Sequence, residues 1–146
     1  MMGLLGIITL YTRSLALNRD VVNRTIAAGL AAEGIEVVKN IIDMKVAAGE
    51  SWGDIQADVP SGTYPVLWNS AALDLQPKLA DTSLCFKDDV YAYDCAVPAV
   101  ATPFKRGIAI GSDTPNKIIV NSVVTWTDQG GAKSLNVEDH FFNWRP

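Results

Sequence analysis

From Leu15 to Val46 apolar side chains recur mostly three or four residues apart, at Leu17, Val21, Ala28, Ala31, Ile35, Val38, Ile42 and Val46. The charges Arg19, Asp20, Arg24, Glu33, Lys39 and Lys45 fall largely between them, which is the period of one striped helix. Before it, "MMGLLGIITLY" carries no charge. That run is too long for the exposed start of a soluble helix and short of the roughly 20 residues of a membrane span. It lacks the basic n-region and cleavage site of a signal peptide, so it reads as the second half of a longer apolar helix. No proline intervenes before Pro60, and Gly49 stands where a helix C′ residue is expected. The pattern predicts one dominant helix over residues 2–48, about 70 Å long if continuous from the start at 1.5 Å per residue.

After Gly49 the pattern changes to short alternating and β-branched runs. Strands are predicted near Thr63–Trp68, Leu84–Phe86, Val90–Tyr93, Phe104–Ile110, Lys117–Thr127 and Ala132–Phe142. In the fifth, Ile118, Val120, Val124 and Trp126 share one parity while Asn121, Thr125 and Thr127 share the other, as in a half-buried strand. The turn signals "GSDTPNK" and "TDQGGA" make the last three strands an antiparallel meander. The expected fold class is therefore α+β: a long N-terminal helix (1–49) whose C-terminal half packs on the antiparallel sheet of a β-rich head (50–146). Within the helix, about 1–25 is the apolar part and about 26–49 the amphipathic part. The head is too small to cover the whole helix, so part of it must protrude and find another partner.

Composition narrows the function classes. A 146-residue chain with 49% apolar content builds one domain with a core. A net charge of −4 and a pI near 4.8 argue against nucleic-acid binding, which needs a clustered basic surface. Cys85 and Cys95 flank "CFKDDVYAYDC", which reads as a hairpin closed by a disulfide, with two unpaired thiols as the alternative. His140 is the single histidine and has no nucleophile motif to serve, so no catalytic residue, metal site or cofactor is assigned and no enzymatic activity is expected. Asp88, Asp89 and Asp94 lack calcium-loop spacing and read as a polar turn. Glu33 and Glu36 read as solvated helix charges, and the acceptor pattern at Asn23 falls inside the helix.

The ordered phrases "NRDVVNRTIAAGLAAEGIEVVKNIID", "TPFKRGIAI" and "VTWTDQGGAKSLNVEDHFFNW" resemble the type IV pilin-like family, especially minor-pilin sequences with an A-x-EGIE-V-x-N-I-x-D helix. The resemblance covers nearly the whole chain. It implies a lollipop fold: a bacterial filament subunit, minor pilin or pseudopilin-like, held first in the inner membrane and later in an extracellular filament at the cell surface. Its implied partners are other pilin subunits, and DNA uptake by the assembled machinery stays open. The family's basic leader, Gly–Phe processing site and glutamate at the fifth mature position do not occur in "MMGLLGIITLY", which implies that this sequence begins downstream of them. Arg13, Arg19 and Arg24 follow the apolar run and favour a cytoplasmic exit, opposite to the family orientation unless a more basic leader outweighs them.

A glycine inside a helix costs about 1 kcal/mol relative to alanine, so Gly29 and Gly34 need a reason. Small residues let helices approach closely, and Leu4, Leu5, Ile8, Leu15, Ala28, Ala31, Ala32 and Gly34 are accordingly the expected helix-assembly residues. Packing of the same glycines on the head's own sheet is the competing reading. Association is expected through residues 1 to about 30, with a chain beginning near Ala31 a soluble monomer, and serine at Leu4, Leu5 and Ile8 abolishing association. The alternative function is a secreted β-rich binding module that oligomerises or docks through its N-terminal helix.

Overall fold

The computed structural model describes residues 2–68, 70 and 82–144, with the side chains of the first helix described from Ile7 onward except at residue 9. Helix α1 (Met2–Ala47) is followed by α2 (Trp52–Asp58) and six strands: β1 (Gly62–Tyr64), β2 (Ser83–Lys87), β3 (Val90–Ala92), β4 (Val100–Thr114), β5 (Lys117–Asp128) and β6 (Gly131–Phe142). The strands form one antiparallel sheet in the order β3-β2-β4-β5-β6, with β1 pairing the distal part of β4. The α+β class and the single dominant helix match the pattern of the sequence.

Local chemistry explains each boundary. Gly49 adopts φ +84° and ends α1, with Glu50 N–H donating to the Lys45 carbonyl and Gly49 N–H to the Val46 carbonyl, the paired bonds of a Schellman stop. Lys45 then ties the two helices together, its ammonium bonded to Asp58 and Glu50; these hydrogen bonds, Asp58 first, hold it above the usual lysine range. Helix α2 was not expected from the sequence. Its signal is Ser51, whose hydroxyl accepts from Asp54 N–H at 3.3 Å as an N-cap. Strand β1 is shorter than the predicted Thr63–Trp68, because Pro65 has no N–H to continue the ladder. Asp88 and Asp89 both take positive φ, 51° and 65°, in the two-residue turn between β2 and β3.

Helix and sheet enclose two apolar clusters. Nearer the N-terminus, Ala27, Leu30 and Ala31 pack with Leu84, Phe104, Val124 and Trp126. Farther along, Ile35, Val37, Val38, Ile41 and Ile42 meet Ile108, Ile110, Ile118 and Val120, with Ile55, Val59, Tyr64 and Val66 closing the end. Between them lies a belt that is not apolar. Arg106 of β4 and Ser122 of β5 occupy inward positions and are fully buried. A Cβ added at Gly34 would sit 2.6 Å from Ser122 Oγ and would also overlap Ile108 Cδ1, so α1 can reach the sheet here only through glycine.

All three guanidinium nitrogens of Arg106 find partners within the protein. Nη1 donates to the Leu30 carbonyl and to Glu33 Oε1, each at 3.0 Å, Nη2 to the Val66 carbonyl at 2.6 Å, and Nε to Tyr93 Oη at 3.1 Å. Tyr93 Oη in turn donates to the Arg106 carbonyl at 3.0 Å. Glu33 is therefore the arginine's ion-pair partner, which corrects its reading as a solvated helix charge. Cys85 and Cys95 are joined by a disulfide, with Cα atoms 5.5 Å apart, which holds the Tyr93 segment against β2. Asp94 helps, its carboxyl kept below the ordinary carboxylate range by the Ala96 N–H and then by Lys87.

Arg106→Ala leaves Glu33 and two backbone carbonyls facing a void, and we expect a loss of about 3–5 kcal/mol in urea denaturation. Arg106→Met should lose less, because it fills the space and removes the charge. Breaking the Cys85–Cys95 bond with Cys85→Ser/Cys95→Ser should lower stability by about 2–3 kcal/mol, the value for so short a loop. An unchanged midpoint in either experiment would contradict the role assigned to that link.

Candidate assembly face

At about 100° per residue, the buried residues Ala27, Leu30, Ala31, Gly34, Val38, Ile41 and Ile42 define the side of α1 turned to the sheet. The opposite side can then be traced back toward the N-terminus. It carries Ile7, Ile8, Leu10, Tyr11, Leu15, Leu17, Val21 and Val22, whose exposure runs from 44% at Leu15 to 70% at Leu10. Ser14, Asn18 and Thr25 are its polar members, and Ala28, Gly29 and Ala32 complete it; all six are exposed. From Ile7 to Ala32, about 38 Å of helix at 1.5 Å per residue, this face holds no charged residue. Arg13, Arg19, Asp20 and Arg24 all fall on the sheet-facing half. Beyond Ala32 the outward face changes character, with Glu36, Lys39 and Asp43 exposed.

The single stripe read from the sequence is thus two. Ile35, Val38 and Ile42 are buried in the head, whereas Leu17, Val21 and Ala28 face outward. A drift of a few tens of degrees over 30 residues makes the two faces look continuous on paper.

The expected assembly residues divide the same way. Ala28 and Ala32 are exposed on the outward face, and Ile8 and Leu15 lie on it too. Ala31 and Gly34 are buried against the protein's own sheet, so they are corrected from intermolecular to intramolecular packing residues. The side chains of Leu4 and Leu5 lie outside the described residues. Gly29, by contrast, faces open space: an added Cβ would meet nothing within 4 Å. Nothing in the folded chain requires glycine at that position.

The other residues singled out have ordinary roles. His140 Nε2 lies 2.9 Å from Glu138 Oε1 on the outer face of the sheet, and this bond holds Glu138 below the usual carboxylate range. Lys117 does the same for Asp113 at 2.7 Å. Asn23 is part of α1 and half-buried. Among the described residues no helix is long and apolar enough to cross a membrane. No protein-family model, curated protein or solved structure matches the chain.

The two glycines give opposite expectations. Gly34→Ala should destabilise by about 1–3 kcal/mol, because the methyl group overlaps Ser122 and Ile108. Gly29→Ala should stabilise the isolated protein by about 1 kcal/mol through helix propensity alone. Thermal melts of both variants check this, and a destabilised Gly29→Ala would contradict the placement of that residue on an unpartnered face.

Proposed function

We propose that the protein is a structural subunit of a type IV pilus-type filament, minor pilin or pseudopilin-like. It assembles through the outward face of α1 and displays its sheet domain on the filament surface. The uncharged outward face from Ile7 to Ala32 is the observation that carries this reading. Apolar surface left in water drives association at about 25 cal/mol per Å², and a continuous stripe of this length is unusual on a monomer. The small residues Ala28, Gly29 and Ala32 sit together on that face and permit close helix approach. A filament requires this face to meet a different surface of the next copy, a head-to-tail contact that propagates, whereas the same face meeting itself would close into a dimer.

The partners in this reading are further pilin subunits, of the same or related chains. The N-terminal segment is held in the inner membrane before assembly, and the assembled protein is extracellular. The subunit has a structural role and no catalytic one.

Sedimentation velocity without detergent tests the reading. The unsubstituted protein should form polydisperse, growing assemblies, whereas Val21→Glu and Ala32→Glu should each leave a monomer with unchanged stability, since surface substitutions shift it by no more than about 0.5 kcal/mol. A monomeric unsubstituted protein would contradict the proposal. A discrete closed dimer would favour a secreted module that oligomerises through its helix. Truncation must respect the fold: Ala27 and Leu30 belong to the core and the Leu30 carbonyl binds Arg106, so a soluble fragment has to begin before Ala27 and not near Ala31.

A further inference from the structure

Where α1 ends, it meets α2 and the last residues of β6 around a cleft of about 400 Å³. Ile42, Asp43 and Val46 line it from α1 and Trp52 from α2, while Phe142 and Trp144 close the other side. These last two rings are 56% and 78% exposed, so this end of the protein presents an aromatic surface to solvent. Such a surface marks an interaction site, and Trp is among the residues in which binding energy concentrates.

The cleft lies in line with the assembly face. Leu10, Ala28 and Val46 follow one another at intervals of eighteen residues, five whole turns, and so lie along one line on α1. That line is bordered by the uncharged outward face as far as Ala32 and by the aromatic cleft at Val46. Both surfaces belong to one continuous helix, so a single copy cannot bring them together. A patch that meets a pocket elsewhere on the next copy makes a contact that propagates.

Charges on either side of the line indicate how two copies are arranged. Asp20 and Arg24 lie about 80° and 40° to one side of it. They are paired with each other at 3.0 Å. Lys39 and Asp43 lie about 20° and 60° to the other side. Both are exposed, and neither makes an ion pair within the described residues. When two parallel helices face each other along this line, opposite sides come together. A shift of nineteen residues, about 28 Å, then sets Asp20 against Lys39 and Arg24 against Asp43 at once. The same shift places Ala28 beside Val46 at the cleft, with Val21 and Ala32 before and after it along the axis. An antiparallel pair matches like with like, Asp20 with Asp43 and Arg24 with Lys39, which is unfavourable.

We propose that the cleft between α1, α2 and the end of β6 receives α1 of a neighbouring copy, parallel and shifted by about 28 Å, with Asp20 and Arg24 of one copy against Lys39 and Asp43 of the other. The inference rests on the filament subunit proposed above and deepens it by naming the surface that the outward face meets. The four charges select direction and register, and burial of the aromatic rings against apolar side chains supplies the attraction.

Sedimentation velocity of the full chain and of mixed variants tests the proposal. Val21→Glu blocks the face and leaves the cleft intact, whereas Trp144→Glu does the reverse. Each alone should be monomeric with an unchanged thermal melt. Mixed in equal amounts, they should form a dimer and stop there, since one contact survives per pair. Lys39→Glu/Asp43→Lys should raise the concentration needed for assembly about tenfold, because like charges now meet. Adding Asp20→Lys/Arg24→Glu to that variant should restore assembly. Normal assembly of Trp144→Glu would overturn the proposal and leave the filament reading standing. So would a mixture that stays monomeric, a double charge variant that assembles normally, or a quadruple variant with an unchanged melt that does not regain assembly. A monomeric unsubstituted protein would overturn both readings. A closed dimer of it would mark a face that meets itself or an antiparallel pair, and either overturns the parallel contact.

Discussion

A guanidinium in a protein interior must find a partner for its donors, and the way Arg106 does so governs where the helix can sit on the sheet. Its four partners come from three separate parts of the chain: Leu30 and Glu33 from α1, Val66 from the segment after β1 and Tyr93 from the disulfide-bounded segment. No pair of these is close in sequence to β4 except Tyr93. Sliding α1 by one turn would keep apolar residues against the sheet but would strand the arginine, and an unpaired buried charge is destabilising by several kcal/mol. The apolar clusters on either side provide the bulk of the burial; the arginine between them specifies the register.

That register determines which face of α1 is left over. Gly34 must lie over Ser122, because only there can the helix backbone come close enough for Leu30 and Glu33 to reach Arg106. Five residues earlier and about 140° around the helix, Gly29 consequently points away from the sheet. Two glycines that look equivalent in sequence therefore have opposite surroundings. One is needed by the fold, whereas at the other the folded chain has room for a side chain.

Much of this architecture is visible in the sequence. The absence of proline before Pro60, the period of α1 and the parity of β5 specify helix, sheet and their contact, because they express burial patterns directly. The Cys85–Cys95 link follows from a short hairpin spacing. Arg106 is legible only in retrospect: it occupies the inward parity between Phe104 and Ile108 in "TPFKRGIAI", and a charge at an inward position demands a partner whose identity depends on tertiary structure. Glu33 was misread for the same reason, since its partner lies 73 residues away. For Ala31 and Gly34 the sequence leaves packing on another copy and packing on the head's own sheet both open, because composition shows that a small residue permits close approach without showing what approaches. Helix α2 carries its signal in Ser51 and Asp54, but about two turns of helix are easily lost among Trp, Gly and Pro.

The central claim is that copies of this chain meet through the outward face of α1. Because both native cysteines are joined to each other, single cysteines can be introduced along the helix and their thiol labelling compared in dilute and assembled protein. Ala28→Cys and Val22→Cys should lose their labelling on assembly, whereas Asn23→Cys, on the sheet-facing side, should label at an unchanged rate. Protection of Asn23→Cys with none at Ala28→Cys and Val22→Cys would place the contact on the other side of the helix and contradict this.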